Sequence, residues 1–245
     1  MPRFFVDKTQ ISDHTVVLTG DDAYHVSRSL RMAPGEEIIV SDGEGTDYRA
    51  VLTRFTENTA EASVLSSAPS QNEPPVYIRL YQGYPKGDKL ETVIQKAVEL
   101  GASEIVPFIS SRCVKRPAEE KTEKILLRQN RIAHEAAKQC GRGRLPQVRA
   151  CLSFAEMLKQ ATADATAFFC YEDEQALSLK AALQALPSSV RKISVIVGSE
   201  GGFSPEEAAD AREAGAVSVG LGHRILRCET APTVALTAVM YACEW

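Results

Sequence analysis

The sequence predicts an α/β protein: a parallel-sheet domain clothed in helices, preceded by a small β-barrel. Three observations carry that prediction. The first seventy residues hold short runs rich in Val, Ile, Thr and aromatics. Beyond residue 75 strand-like runs alternate with helical patterns, the rhythm of a parallel sheet covered on both faces. Between them lies Ser66-Ser67-Ala68-Pro69-Ser70-Gln71-Asn72-Glu73-Pro74-Pro75, polar and proline-rich, which reads as a linker. The domains are therefore placed at residues 1–72 and 76–245.

In the first domain, strands are predicted at Arg3–Val6, Thr15–Leu18, Glu37–Val40, Tyr48–Phe55 and Thr59–Leu65. Asp42-Gly43-Glu44-Gly45 marks a turn, and Asp21–Leu30 fits one short helix with Ala23, Val26 and Leu30 on one side. In the second, Val76–Tyr81 is a strand and Asp88–Leu100 a helix, with Leu90, Val93, Ile94, Ala97 and Val98 at helical spacing and Gly101 as its stop. A strand over Glu104–Ile109 and a long helix over Ala118–Cys140 follow. Then come strand Thr166–Tyr171, helix Leu177–Leu186 and strand Ser194–Val197. Ser204-Pro205-Glu206-Glu207 is a helix start with Ser as cap, Pro in the first turn and Glu three after the cap. Gly215 ends that helix, Val217–Leu221 is a strand, and Thr233–Glu244 closes the chain as a helix.

The net charge of −4 speaks at face value against a nucleic-acid partner. The sum hides its distribution. Residues 1–73 carry 6 basic and 12 acidic side chains, residues 74–150 carry 15 and 8, and residues 151–245 carry 7 and 12, so the segments stand at −6, +7 and −5. Within the basic block, Lys124, Arg128, Arg131, Lys138 and Arg142 fall in one stripe at helical spacing, interrupted by Glu135. Arg112, Lys115 and Arg116 precede it, and Gly141-Arg142-Gly143-Arg144 continues it. A solvated face needs less, and an anionic polymer is the partner such a stripe suits. The six cysteines have no C-x-x-C spacing and the four histidines are scattered, so no metal site is expected and the thiols read as reduced. No apolar run approaches the roughly 18–20 residues of a membrane span. The N-terminus Met1–Asp7 lacks a signal-peptide core, so the expected location is cytoplasmic.

Two segments could carry chemistry. Gly198-Ser199-Glu200-Gly201-Gly202-Phe203 sits between a strand and a capped helix, and its glycines let backbone approach a ligand beyond the carboxyl end of a strand. It matches neither common nucleotide fingerprint. Leu221-Gly222-His223-Arg224-Ile225-Leu226-Arg227-Cys228-Glu229-Thr230-Ala231 also follows a strand. Its arginines could hold an anion, or Arg227 and Glu229 could be a surface pair.

Together with Gln95-Lys96-Ala97-Val98-Glu99-Leu100-Gly101 and His134-Glu135-Ala136-Ala137-Lys138-Gln139-Cys140-Gly141-Arg142, these segments resemble the RsmE family of SPOUT-class RNA methyltransferases in order and spacing. The first domain, with His25 and Leu30-Arg31 before Gly35, resembles the family's PUA-like domain. Two departures stand out: the family usually has Pro where Ser199 stands, and often Thr where Cys228 stands.

The resemblance implies a SPOUT trefoil-knot domain behind a PUA-like β-barrel, a homodimer, and methylation of uridine N3 in 16S ribosomal RNA or the small ribosomal subunit. The implied cofactor is S-adenosylmethionine, held by Tyr171, Gly198, Ser199, Glu200, Gly201, Gly202, Leu221, Gly222, Ile225 and Leu226. Uracil N3 must lose a proton before it attacks, so a cation beside the uracil oxygens and a base are sought. Arg227 and Arg142 are the candidate cations. Glu229 is the first candidate base, Glu200 competes, and a glutamate that only orients an arginine is an equal reading. Arg3, Arg28, Arg31, Lys124, Arg128, Arg131, Lys138 and Arg144 are the candidate RNA contacts. Ribose 2′-O methylation on the same scaffold, and a non-catalytic RNA-binding or ribosome-assembly factor, are the alternatives.

Overall fold

A computed structural model describes residues 1–117 and 122–244. The chain divides into two compact units, Met1–Glu73 with Ala137–Leu145, and Pro74–Ala136 with Pro146–Trp245.

The first unit contains β1 (Arg3–Phe5), β2 (Thr15–Thr19), α1 (Gly20–Tyr24), β3 (Glu37–Ser41), β4 (Thr46–Phe55) and β5 (Thr59–Pro69). The sheet runs β1-β3-β4-β5-β2, antiparallel except where β1 joins β3, and it curls into a half-barrel. Two register shifts between β4 and β5 supply irregularities of the kind that bend strands. Phe4, Leu18, Val26, Ile38 and Leu52 fill the concave side.

Two predicted boundaries move. The helix expected over Asp21–Leu30 is α1 followed by a π-helical turn at His25–Ser29. There the Leu30 N–H reaches back five residues to the His25 carbonyl, and this wider turn rotates Leu30 into solvent while Ala23 and Val26 stay buried. The linker is also shorter than its composition suggests, because Ser66–Pro69 extends β5 and pairs with the start of β4.

The segment 137–145 belongs with this unit through specific bonds. Gly45 N–H donates to the Gly143 carbonyl, Leu145 N–H to that of Gly43, and the Ser41 hydroxyl to Gly143. Glu73 accepts from Arg142 Nε and Nη2 at 2.9 and 2.8 Å and from the N–H groups of Gly143 and Arg144.

The second unit contains β6 (Tyr77–Gly83), α2 (Lys89–Glu99), β7 (Glu104–Ile109), most of α3 (Thr122–Cys140), β8 (Gln147–Val148) and β9 (Leu152–Ser153). It continues with α4 (Phe154–Ala163), β10 (Thr166–Cys170), α5 (Leu179–Gln184), β11 (Lys192–Val197), α6 (Pro205–Glu213), β12 (Val217–Val219) and α7 (Thr230–Cys243). Its strands are all parallel in the order β12-β10-β11-β6-β7-β8, with β9 also on β7. The long-helix expectation over 118–121 lies outside the described residues. In α2 the five apolar residues at helical spacing are all buried. Two short strands and α4 were not anticipated. The signal for α4 was present: Ser153 and Glu156 form a capping box, each side chain bonding the other's backbone N–H.

Late insertion of β11 between β10 and β6 makes the carboxyl ends of the central strands the place where successive connections diverge. In open parallel sheets that is where ligands bind.

Candidate active site

At those strand ends lies a cleft of ≈ 830 Å³. The segment after β11 and the segment after β12 form its two main walls. All ten residues assigned to cofactor binding from sequence line it: Tyr171, the run Gly198–Gly202, Leu221, Gly222, Ile225 and Leu226. Arg227 lines it as well, exposed at its mouth.

Packing beneath the cleft fixes the first wall. Phe203 is wholly buried, stacked on Phe108 with rings 6.2 Å apart and 4.2 Å from Phe169. Gly202 takes a left-handed φ of 61° and its N–H closes a turn on the Ser199 carbonyl. Glu172 accepts the Phe203 N–H at 3.2 Å. From the neighbouring strand, buried Gln82 donates to the Gly198 carbonyl at 3.0 Å. Gly83 touches the same loop so closely that a Cβ there would stand 2.5 Å from Ser199 N. Gln82 and Gly83 were not among the site residues expected from sequence, because their contact with the 198–199 backbone comes from strand pairing between β6 and β11. They support the wall from behind.

The charged groups of the cleft converge on a residue the sequence did not single out. Lys89, first in α2, donates from Nζ to Glu200 Oε1 at 2.8 Å and lies 3.7 Å from Glu229 Oε2. Glu200 also accepts the Lys86 N–H at 3.1 Å. Burial alone would raise Glu200, but the bonds from Lys89 and Lys86 outweigh it and hold its carboxyl below the usual range. The Cys228 thiol donates to Glu229 at 3.2 Å, which with Lys89 and Arg227 nearby keeps Glu229 low too. Burial and the Glu229 bond push the Cys228 thiol up to about 12, so it serves as a donor. Both glutamates are thus ionised and weakly basic. On the rim, Arg112 donates to the Gly201 carbonyl at 3.2 Å, beside Glu172.

Other expected site residues lie elsewhere. The Arg142 side chain is 4% exposed and paired with Glu73 in the first unit, and it is not among the residues that line the cleft. Two expected RNA contacts are likewise committed to internal partners. Arg3 forms a double bond pair with Asp47, and Lys138 pairs with Asp22 at 2.9 Å while lying over the Phe4 ring. Lys124, Arg128 and Arg131 are exposed on α3, with Arg128 bonded to Glu91. Arg28, Arg31 and Arg144 are exposed in the first unit, Arg31 with a left-handed φ of 53°. Among the described residues no group of His, Cys, Asp and Glu could hold a metal, and no helix is long and apolar enough to cross a membrane.

Comparison with known proteins agrees with this architecture. A model of an RNA methyltransferase domain matches residues 72–240, and one of an RNA methyltransferase PUA domain matches residues 18–65. Ribosomal RNA small subunit methyltransferase E of Bacillus subtilis is 34% identical over 250 residues, covering 100% of this chain and 98% of that protein. The protein of that name from Synechocystis is 35% identical over 240 residues, covering 97% of this chain and 76% of its own length. Among solved structures, ribosomal RNA small subunit methyltransferase E from Neisseria gonorrhoeae, bound to S-adenosyl methionine, superposes with a TM-score of 0.85 at 34% identity, covering 98% of this chain and 97% of that one. Fold and cleft therefore define an RNA methyltransferase with a PUA-type N-terminal module. Within that class the chain belongs to the ribosomal RNA small subunit methyltransferase E family.

Proposed function

We propose that this protein, as a homodimer, transfers a methyl group from S-adenosylmethionine to N3 of a uridine in small-subunit (16S) ribosomal RNA. The observation that carries the reading is the backbone-walled cleft at the carboxyl ends of β10, β11 and β12, lined by every residue assigned to the cofactor. Its chemistry fits that molecule. The buried Ser199 hydroxyl has no hydrogen-bond partner among the described residues and lines the cleft. A Cβ on Gly222 would meet only open space. Glu172, Asp173, Glu174 and Glu200 supply negative charge suited to a sulfonium and an ammonium. When bound, S-adenosylmethionine supplies an electrophilic methyl.

The chain's own groups then divide the work. The two walls orient the reacting partners, which converts a bimolecular encounter into a positioned one. Arg227 at the mouth stabilises negative charge on the uracil oxygens as N3 loses its proton. A general base works best with a pKa near the working pH. The depressed carboxyls of Glu200 and Glu229 therefore favour orienting roles over proton abstraction. Lys124, Arg128, Arg131 and Arg144, with Arg28 and Arg31, remain the exposed cations proposed to meet RNA phosphates.

The test incubates purified protein and methyl-labelled S-adenosylmethionine with free 16S RNA or with small subunits, followed by nucleoside mass spectrometry. The expected product is 3-methyluridine. A 2′-O-methylated nucleoside would move the assignment to ribose chemistry. No label, together with no calorimetric affinity for S-adenosylmethionine, would leave an RNA-binding factor.

A further inference from the structure

Lys89 breaks a local rule. The first turn of a helix carries partial positive charge, so a lysine there is disfavoured and an acidic residue is preferred. Lys89 nevertheless opens the eleven-residue helix α2. Departures of this kind concentrate where function imposes them. Here the compensation comes from outside the helix: Glu200 at 2.8 Å, Glu229 at 3.7 Å, and the Cys228 sulfur at 3.9 Å. These two glutamates stand on the two segments that wall the cleft, one after β11 and the other leading into α7.

We propose that Lys89 is a positioning residue for methyl transfer, a cationic staple that holds the 198–203 loop and the 221–229 segment at their working separation by spanning Glu200 and Glu229. The inference rests on the cofactor reading given above for those segments. Without the ammonium, two like charges remain in a half-buried cleft, and donors such as the Lys86 N–H for Glu200 and the Cys228 thiol for Glu229 each serve one carboxylate without bridging the two. The walls then separate. Lys89 need not touch the transferred methyl for this. It acts through the two carboxylates, and α2 is itself held by its buried apolar face and its packing against α7.

The staple is tested on the full chain with Lys89→Met, Lys89→Arg and the double variant Lys89→Met/Glu229→Gln. The first readout, hydrogen–deuterium exchange of ligand-free protein, does not depend on any cofactor. Lys89→Met should accelerate exchange in peptides spanning 198–203 and 221–229 and leave residues 1–73 unchanged. Lys89→Arg should restore protection, and so should the double variant, because it removes the repulsion without restoring the cation. In the second readout, calorimetry, Lys89→Met should weaken S-adenosylmethionine binding about tenfold, with recovery in the double variant. Unchanged exchange in Lys89→Met, or failure of Glu229→Gln to rescue it, overturns the staple; tighter cofactor binding in Lys89→Met does the same. If the unsubstituted protein binds no S-adenosylmethionine, the function proposed above falls, and exchange still decides the role of Lys89.

Discussion

Arg142 and Lys89 exchanged roles between sequence and structure. Arg142 sits in a glycine-flanked basic run, where flexible backbone beside a guanidinium suggests substrate contact. In the structure Nε and Nη2 grip both oxygens of Glu73, and the same carboxylate takes the N–H groups of Gly143 and Arg144. The arginine is therefore part of the scaffold that folds 141–145 onto the first unit. Arg142→Ala should destabilise by about 3 kcal/mol, the low end for breaking a buried pair, because two N–H donors still serve Glu73. Thermal denaturation checks the loss, and kcat measured below the melting transition should stay near that of the parent. A large fall in kcat while the variant remains folded would return Arg142 to the reacting groups. Lys89 was missed for the complementary reason. Its spacing in sequence says nothing of Glu200 and Glu229, more than a hundred residues away, and only the fold brings three separate segments to one ammonium.

At the scale of elements, patterns that encode burial were legible. Regular alternation gave the parallel sheet, the apolar spacing of α2 named its buried face, and Ser204 with Glu207 does form the capping box expected for α6. The glycine-rich run after β11 was readable as a ligand-facing loop because close backbone approach needs glycine, whereas the run after β12 was assigned to the cofactor through the family resemblance. What periodicity did not convey was tertiary pairing: β5 continuing into a linker-like sequence, or a π-helical turn rotating Leu30 outward. The basic stripe on α3 shows the same limit. Helical spacing placed five cations on one face, yet Lys138 is bound to Asp22 and Arg142 lies past the helix end, leaving Lys124, Arg128 and Arg131 exposed. Reversing charge at Arg128 and Arg131 should weaken RNA binding. Loss of two phosphate contacts should make the slope of log affinity against log salt shallower by roughly 1.4–1.8. Filter binding over a salt series measures it, and an unchanged slope would mean that α3 presents only a solvated face.

For the whole molecule, chain order and domain membership differ. The net charge of −4 is the sum of −6, +7 and −5, so a segment that a global figure hides can still supply an RNA-facing surface. The division into units follows the same logic, since residues 137–145 leave the sequence of one unit to complete the other. That insertion brings two side-chain anchors to the half-barrel, Lys138 to Asp22 and Arg142 to Glu73, and a backbone carbonyl, that of Arg142, which accepts from Arg3 Nη1. It also brings the backbone bonds from Gly45 to Gly143 and from Leu145 to Gly43. A fragment ending at Glu73 keeps the five strands but leaves Asp22 and Glu73 without those partners and the turn at 42–45 without its bonding chain. A domain of about 70 residues has little stability to spare. The fragment 1–73 should therefore melt with low cooperativity or remain partly unfolded. Joining residues 137–145 to it through a flexible glycine-serine linker should restore a sharp transition, read by circular dichroism. If the bare fragment melts as cooperatively as the linked one, the interleaved segment rests on the half-barrel without helping to hold it.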